Sequence, residues 1–255
     1  MEYAVVAVPA APVRRKPRHQ REMVNQLLFG EMVEILKEKG NSWVKVRSLS
    51  DNYEGWMTNS LLKEVKEKDI ERGEGILATD LLNTITIDGQ AMHIPLGASL
   101  PGFTAGKGIV GDKEYTFSGK YINKANARPG EKEVKELTTN WLNAPYLWGG
   151  RTILGVDCSG FVQVNYRMMG IDLARDTWQQ AQQGMTVKKI KEAVCGDLAF
   201  FDDKDEIVHV GILLNNEQII HASGKVRIDA IDKKGIVQSE TGKRTHFLRS
   251  VKRYW

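Results

Sequence analysis

Along the first sixty residues the apolar positions fall in short runs: Ala4–Val8, Met32–Leu36, Trp43–Val46 after Gly40-Asn41, and Gly55–Thr58. Runs this short, punctuated by glycine and asparagine, predict strands at the spacing of a small barrel. Between the first two runs, Arg14, Arg15, Lys16, Arg18 and Arg21 read as a long, solvated polar loop. The charged stretch Lys63–Glu74, ending in Gly73-Glu74-Gly75, suits an exposed joint between domains. From Ile76 to Tyr121 the pattern returns, with Ile85–Ile87, Ala91–Ile94 and Tyr115–Phe117 separated by glycines. This predicts a second small all-β barrel, a repeated architecture without a repeated sequence.

After Arg128-Pro129-Gly130 the period lengthens. Val134, Leu137, Thr138, Trp141 and Leu142 share one helical face, which Pro145 ends. A second helix is predicted after Asp157, with Phe161, Val162, Asn165, Tyr166 and Met169 on its stripe and Gly170 as its stop. A third, short one runs from Thr177 to Gln183. Strands follow at Leu198–Phe201, Val208–Leu214 and Ile219–Ala222, the last two joined by a turn at Asn215–Gln218. Helices followed by strands argue an α+β domain. The expected order is therefore multidomain: two all-β barrels at 1–66 and 67–128, then an α+β domain at 129–255.

Composition narrows the function. Charged residues are 27% of the 255, and 36 Lys plus Arg against 32 Asp plus Glu leave +4, too even a balance to argue nucleic acid. A small solute or peptide is the expected ligand, and a monomer the expected state. No run reaches the ~18 apolar residues of a membrane span. Glu2 and Pro9 around Ala4–Val8 do not make a secretory leader, so a cytoplasmic location is expected. Two cysteines, Cys158 and Cys195, exclude a disulfide scaffold.

Cys158 falls in the first turn of a helix, where amides and the macrodipole favour an anion, so its thiol pKa is expected to fall. A thiolate nucleophile needs an imidazole nearby. On Val208–Ile212, alternation turns Val208, Val210 and Ile212 to one face and His209 and Gly211 to the other, and the bare glycine leaves room for a ligand. His221 shares the face of His209 if the intervening turn is odd in length, centred on Asn215; a two-residue loop at Asn215-Asn216 would separate them. In the odd register His221 holds one tautomer of His209 while His209 takes the thiol proton. The two cysteines and two histidines lack short paired spacing, so no metal and no cofactor is expected. His19, His93, His246 and Cys195 are given no role.

Taken together, Pro145–Gly150, Asp157-Cys158-Ser159-Gly160-Phe161, Gly196-Asp197-Leu198, His209-Val210-Gly211 and Ile220-His221-Ala222-Ser223 resemble the NlpC family of papain-like bacterial cell-wall peptidases, over roughly Val134 to Trp255. The first half is similar to the paired SH3-like domains that precede this cysteine peptidase domain in murein-peptide recycling enzymes. The resemblance implies cleavage between γ-linked D-glutamate and a diamino acid, L-lysine or meso-diaminopimelate. It makes Cys158 the nucleophile, His209 the base, His221 the third polar residue and Tyr146 an aid near the oxyanion.

It further implies that Ser159 and Asp176 contact the free amine of a murein peptide, although either could simply cap a helix. Glu31 and Tyr53 look like the wall residues that restrict the groove to peptides with a free N-terminal L-alanine. A carboxylate pair such as Glu31 and Asp176 around an ammonium would reject acylated substrates. Two readings compete with release of L-Ala-γ-D-Glu in recycling. One is an exported hydrolase acting on intact wall, with the SH3-like domains as anchors; the other is an inert peptide-binding module.

Overall fold

In the computed structural model, which describes residues 2–72, 75–203 and 205–255, the chain divides into two compact units. The first holds Met1–Ala127 and Trp148–Ile153, the second Arg128–Leu147 and Leu154–Trp255. Gly73 and Glu74, where the sequence sets a domain joint, lie outside the described residues.

The first unit is built of strands. β1 (Tyr3–Val6), β2 (Ala10–Arg14), β3 (Met23–Leu28), β4 (Met32–Lys39), β5 (Trp43–Ser48), β6 (Glu54–Thr58) and β7 (Leu62–Val65) form an antiparallel sheet in the order β3-β2-β6-β5-β4-β1-β7. The expected polar loop is thus a hairpin, β2 and β3, with only residues 15–22 as its loop. Proline cannot donate to a ladder, which disfavours Pro12 within a strand. β2 escapes that cost because it meets β6 only at Arg14 opposite Trp56, while Ala11 and Val13 are buried.

β8 (Ile76–Ala78), β9 (Leu82–Ile87), β10 (Gln90–Pro95), β11 (Lys107–Val110), β12 (Lys113–Phe117) and β13 (Tyr121–Asn123) follow, the middle four as a sheet in the order β10-β9-β12-β11 and the outer two as a ribbon. Their core contains Ile85, Ile94, Tyr115 and Phe117, and it also takes Val5, Phe29 and Met32 from the first sheet. Hydrophobic burial therefore joins these two β regions directly.

Segment Trp148–Ile153, with its short strand β14 (Arg151–Thr152), groups with the first unit although the sequence sets it in the third domain. Polar bonds explain this: Arg151 donates its backbone amide to Gln26 Oε1 (2.9 Å) and its guanidinium to Gln26 O (2.9 Å). Gly149, at φ +76°, lies so close to Met23 that a Cβ would stand 2.8 Å from the Met23 carbonyl oxygen.

In the second unit α1 (Glu131–Thr139) stops earlier than its apolar stripe suggested. Val134 and Thr138 are buried on it, and Trp141 is buried just beyond it, but Leu142 is exposed, since Asn143 at φ +69° has already turned the chain. After β15 (Gly155–Val156) comes α2 (Cys158–Met168), buried on every side rather than along one stripe. Its polar residues are satisfied internally, as where Gln163 donates to Leu173 O (3.0 Å) and Asn165 to Phe161 O (2.7 Å). α3 is only Thr177–Gln180.

The remaining strands, β16 (Met185–Val187), β17 (Leu198–Asp203), β18 (Glu206–Leu213), β19 (Gln218–Ser223), β20 (Lys225–Asp232), β21 (Gly235–Val237) and β22 (Arg244–Arg253), form an antiparallel sheet ordered β16-β22-β17-β18-β19-β20-β21, with β21 also pairing to β22. α2 packs on β18 and β19, which brings the first turn of the helix to the strands that carry the histidines.

Candidate active site

Asp157 is the N-cap of α2. Its Oδ1 accepts from the Gly160 amide at 2.7 Å, which fixes Cys158 as the first residue of the helix. Arg175, itself buried, donates to Asp157 Oδ2 (2.6 Å) and to Ser159 Oγ (2.7 Å), and Ser159 Oγ in turn donates to Asp157 Oδ1 (3.3 Å). The Ser159 hydroxyl is thus engaged within the helix start. Asp176 makes a capping box with Gln179 at the start of α3, whose Oε1 accepts the Asp176 amide at 3.3 Å. Next along α3, Thr177 Oγ1 lies 3.9 Å from Cys158 Sγ.

Across from the helix, β18 and β19 pair with Ile212 opposite Ile220 and Leu213 opposite Ile219. The turn is odd, centred on Asn216 and not Asn215; a shift of the whole register by two preserves the shared face. His209 Nε2 and His221 Nδ1 are 2.8 Å apart. Gly211 serves this pair differently from the expectation. A Cβ there would meet Ile219 Cδ1 at 2.7 Å and His221 Cβ at 2.8 Å, so the glycine makes room for the neighbouring strand and not for a ligand. Val208 also departs from the alternation. The β17–β18 ladder slips between Phe201 and Asp202, and Val208 is exposed while Val210 and Ile212 are fully buried.

The chain of imidazoles continues to a residue the sequence reading missed. His221 Nε2 is 3.1 Å from Asp229 Oδ2, and Arg227 lies 2.9 Å from the same carboxylate. Burial alone would favour the neutral acid at Asp229. Hydrogen bonds from His221, the Ser239 amide and Arg227 outweigh it and hold the carboxyl below its usual range.

With a neutral His221, an ionised Asp229 accepts from His221 Nε2–H, which leaves His221 Nδ1 to accept from His209 Nε2–H. His209 Nδ1, which makes no hydrogen bond among the described residues, carries a bare lone pair. A signal for Asp229 existed: on β20, Arg227 stands opposite His221, and the residue two further on faces the same way.

His246, given no role in the sequence reading, also belongs here. Its ring stacks on His209 with centroids 4.3 Å apart and planes 25° apart, and its Nδ1 is 2.9 Å from Thr245 Oγ1. Burial and the His221 charge push its pKa down to about 4, against the opposing pull of Asp229. Nothing short-range in the sequence announced it, because β22 joins β17 only through long-range pairing.

The thiol also corrects an expectation. Burial, followed by the Asp157 charge, pushes Cys158 up to about 11, although the Val210 amide, Thr177 and Arg175 pull the other way. Burial, followed by the His221 and His246 charges, holds His209 well below 6.5. Burial thus disfavours the charged form of both the thiol and the imidazole. Cys195, whose Sγ lies 3.9 Å from Glu131 O, is likewise pushed to about 11 by burial, with no histidine partner among the described residues. Tyr146 is held by its amide to Gly224 O (2.9 Å), and burial, followed by the Cys158 and Asp157 charges, raises its phenol.

Glu31 and Tyr53 belong to the first unit. Tyr53 is half-buried, with its amide donating to Asp51 Oδ1 at 3.0 Å. Glu31 is fully buried and clasped by Arg151, Nη1 to Oε2 at 2.8 Å and Nη2 to Oε1 at 2.9 Å, with the Leu28 amide on Oε2 at 2.9 Å. A wall residue for an ammonium needs an accessible carboxylate, and this one is already neutralised. Among the described residues no group of three or more His, Cys, Asp or Glu is arranged for a metal, and no helix is long and apolar enough to cross a membrane.

Residues 143–245 match the NlpC/P60 family, and residues 13–62 match the bacterial dipeptidyl-peptidase SH3 domain. The chain carries an NlpC/P60 domain preceded by a dipeptidyl-peptidase SH3 domain. The first match holds Tyr146, Cys158, Ser159, Asp176, His209, His221 and Asp229, and the second holds Glu31 and Tyr53. The NlpC/P60 part is similar to a probable endopeptidase NlpC homolog of Haemophilus influenzae, 36% identical over 44% of this chain, and the aligned part spans 61% of that relative. A γ-D-glutamyl-L-lysine dipeptidyl-peptidase of Bacillus subtilis is 27% identical over 77% of this chain and 71% of its own length. A crystal structure of an NlpC/P60 family protein from Bacillus cereus shares the fold, with a TM-score of 0.83 at 21% identity over 99% of both chains. The NlpC/P60 domain marks a peptidase.

Proposed function

We propose that this NlpC/P60 domain is a cysteine peptidase that cuts the bond between γ-D-glutamate and a diamino acid in murein peptides, releasing L-Ala-γ-D-Glu. The observation that carries the chemistry is the ordered chain from His209 through His221 to Asp229, which leaves His209 Nδ1 as a base on the strand against the Cys158 helix. The substrate follows from the paired SH3 domain and from the relatives named γ-D-glutamyl-L-lysine dipeptidyl-peptidases.

In this reading Cys158 Sγ attacks the γ-carbonyl carbon as its proton passes to His209 Nδ1. The imidazolium that forms is stabilised through His221 by the Asp229 carboxylate. The oxyanion takes the Cys158 amide at the helix start, assisted by Tyr146. His209 then gives its proton to the leaving amine, and water, deprotonated by His209, hydrolyses the thioester. Cleavage after the second residue requires recognition of the substrate's free amine, for which Asp176 is the remaining candidate in this domain, with Ser159 as a lesser one. We read β8–β13 as a second SH3-like module and place the reaction in the cytoplasm, on peptides already freed from the wall.

The buried Glu31–Arg151 pair favours one alternative, an ungated endopeptidase that accepts blocked or wall-bound stems, because it removes one carboxylate from the amine gate. Mass spectrometry of L-Ala-γ-D-Glu-L-Lys and its N-acetyl derivative with the wild type and Cys158→Ala separates the two. Cleavage of the free peptide alone, lost in Cys158→Ala, supports the proposal. Equal cleavage of both peptides supports the alternative, and full activity in Cys158→Ala would overturn both.

A further inference from the structure

A second concavity lies in the same unit as the catalytic chain. It is a groove of about 570 Å³ lined by Lys188, Lys189 and Lys191 after β16, Lys233 in the β20–β21 turn, and Arg249 and Leu248 on β22. No carboxylate lines it among the described residues. The side chains of the four lysines make no hydrogen bond or ion pair among the described residues. Some lysines elsewhere are paired, as Lys45 is with Glu54 (2.6 Å) and Lys107 with Glu114 (2.9 Å). Of the cations at the groove, only Arg249 is paired among the described residues, with Asp202 (3.6 Å).

Four unpaired ammonium groups, with Arg249 beside them, line one concave surface. Their mutual repulsion is only partly screened across a Debye length of about 8 Å, and a concave wall focuses the field they make. The floor is aliphatic, with Leu248 packed against the cluster that contains Phe201. We propose that this groove binds one compact multivalent anion, bearing two or more carboxylate or phosphate groups on a small aliphatic body. The volume suits a ligand of small-molecule size. The separate lysines suit anionic groups spread over several ångströms, because each ammonium acts as a point charge without the fixed fork of arginine. The site is independent of the peptidase chemistry.

The test is calorimetric titration of the full chain with inorganic pyrophosphate and with tricarballylate, for the wild type, Lys189→Gln/Lys233→Gln and Cys158→Ala. The expected result is one saturable site, unchanged in Cys158→Ala and at least about tenfold weaker in the double variant, the loss of two charge-assisted contacts. Binding of pyrophosphate alone assigns the site to phosphates, and binding of tricarballylate alone assigns it to polycarboxylates. Absence of saturable heat with both anions overturns the proposal, as does equal affinity in the double variant. The glutamines keep the side-chain stems, and an unchanged Tm verifies that the double variant is folded.

Discussion

Glu31 and Asp229 are both buried carboxylates held by an arginine, yet they do different work. Glu31 spends its oxygens on both ends of the Arg151 guanidinium and on the Leu28 amide. Asp229 binds Arg227 and the Ser239 amide and still presents Oδ2 to His221, the second imidazole of the chain that begins at His209. The first pair holds a segment in place; the second orients protons. A buried acid takes part in chemistry when one of its oxygens faces a titratable group, and burial with an arginine partner alone does not distinguish the two cases.

The comparison predicts its largest effect at Asp229→Asn. An amide there presents either a donor or an acceptor to His221 and can invert the tautomer chain, so kcat should fall by about 10²- to 10⁴-fold with the folded state retained. Steady-state kinetics beside circular dichroism would check this. Glu31→Gln should do the reverse. It leaves Arg151 buried without its countercharge, at a cost of about 3–5 kcal/mol in denaturant titrations, while kcat per folded molecule changes little.

A pH series sharpens the contrast with a smaller effect. His209 and His246 are depressed below 6.5, so the folded state binds fewer protons than the unfolded chain just below that pH. Stability is therefore full above about 6.5 and is lost as pH falls toward 4, and the acid limb of kcat/KM lies below the ordinary histidine range. The smallest effect is expected for His246→Phe. It keeps a ring against His209, so activity should change by less than about tenfold. It leaves in place the burial that chiefly depresses His209, so the acid limb should stay below the ordinary histidine range.

These two acids also mark what the sequence could reveal. Cys158, His209 and His221 were legible because each sits in a local pattern, a capped helix start and two strands with alternating faces joined by an odd turn. The two-unit division and the places of His246 and Arg175 depend on contacts between segments apart in the sequence, which periodicity does not encode. The resemblance makes Glu31 a wall residue of the groove; the partner that clasps it, Arg151, lies 120 residues away. The direction of the thiol's pKa shift was missed for a related reason. The helix start was visible in the sequence, but the burial that outweighs it came only with the packed sheet.

The central claim is a His209 whose proton is on Nε2 and whose Nδ1 is bare, on the strand packed against the Cys158 helix. Nitrogen-15 NMR of the histidine rings near neutral pH, in the wild type and in Asp229→Asn, tests it most directly. The account predicts Nε2–H tautomers at both His209 and His221 in the wild type, with this order lost in Asp229→Asn. An imidazolium at His209 in the wild type, or a proton on its Nδ1, would contradict it.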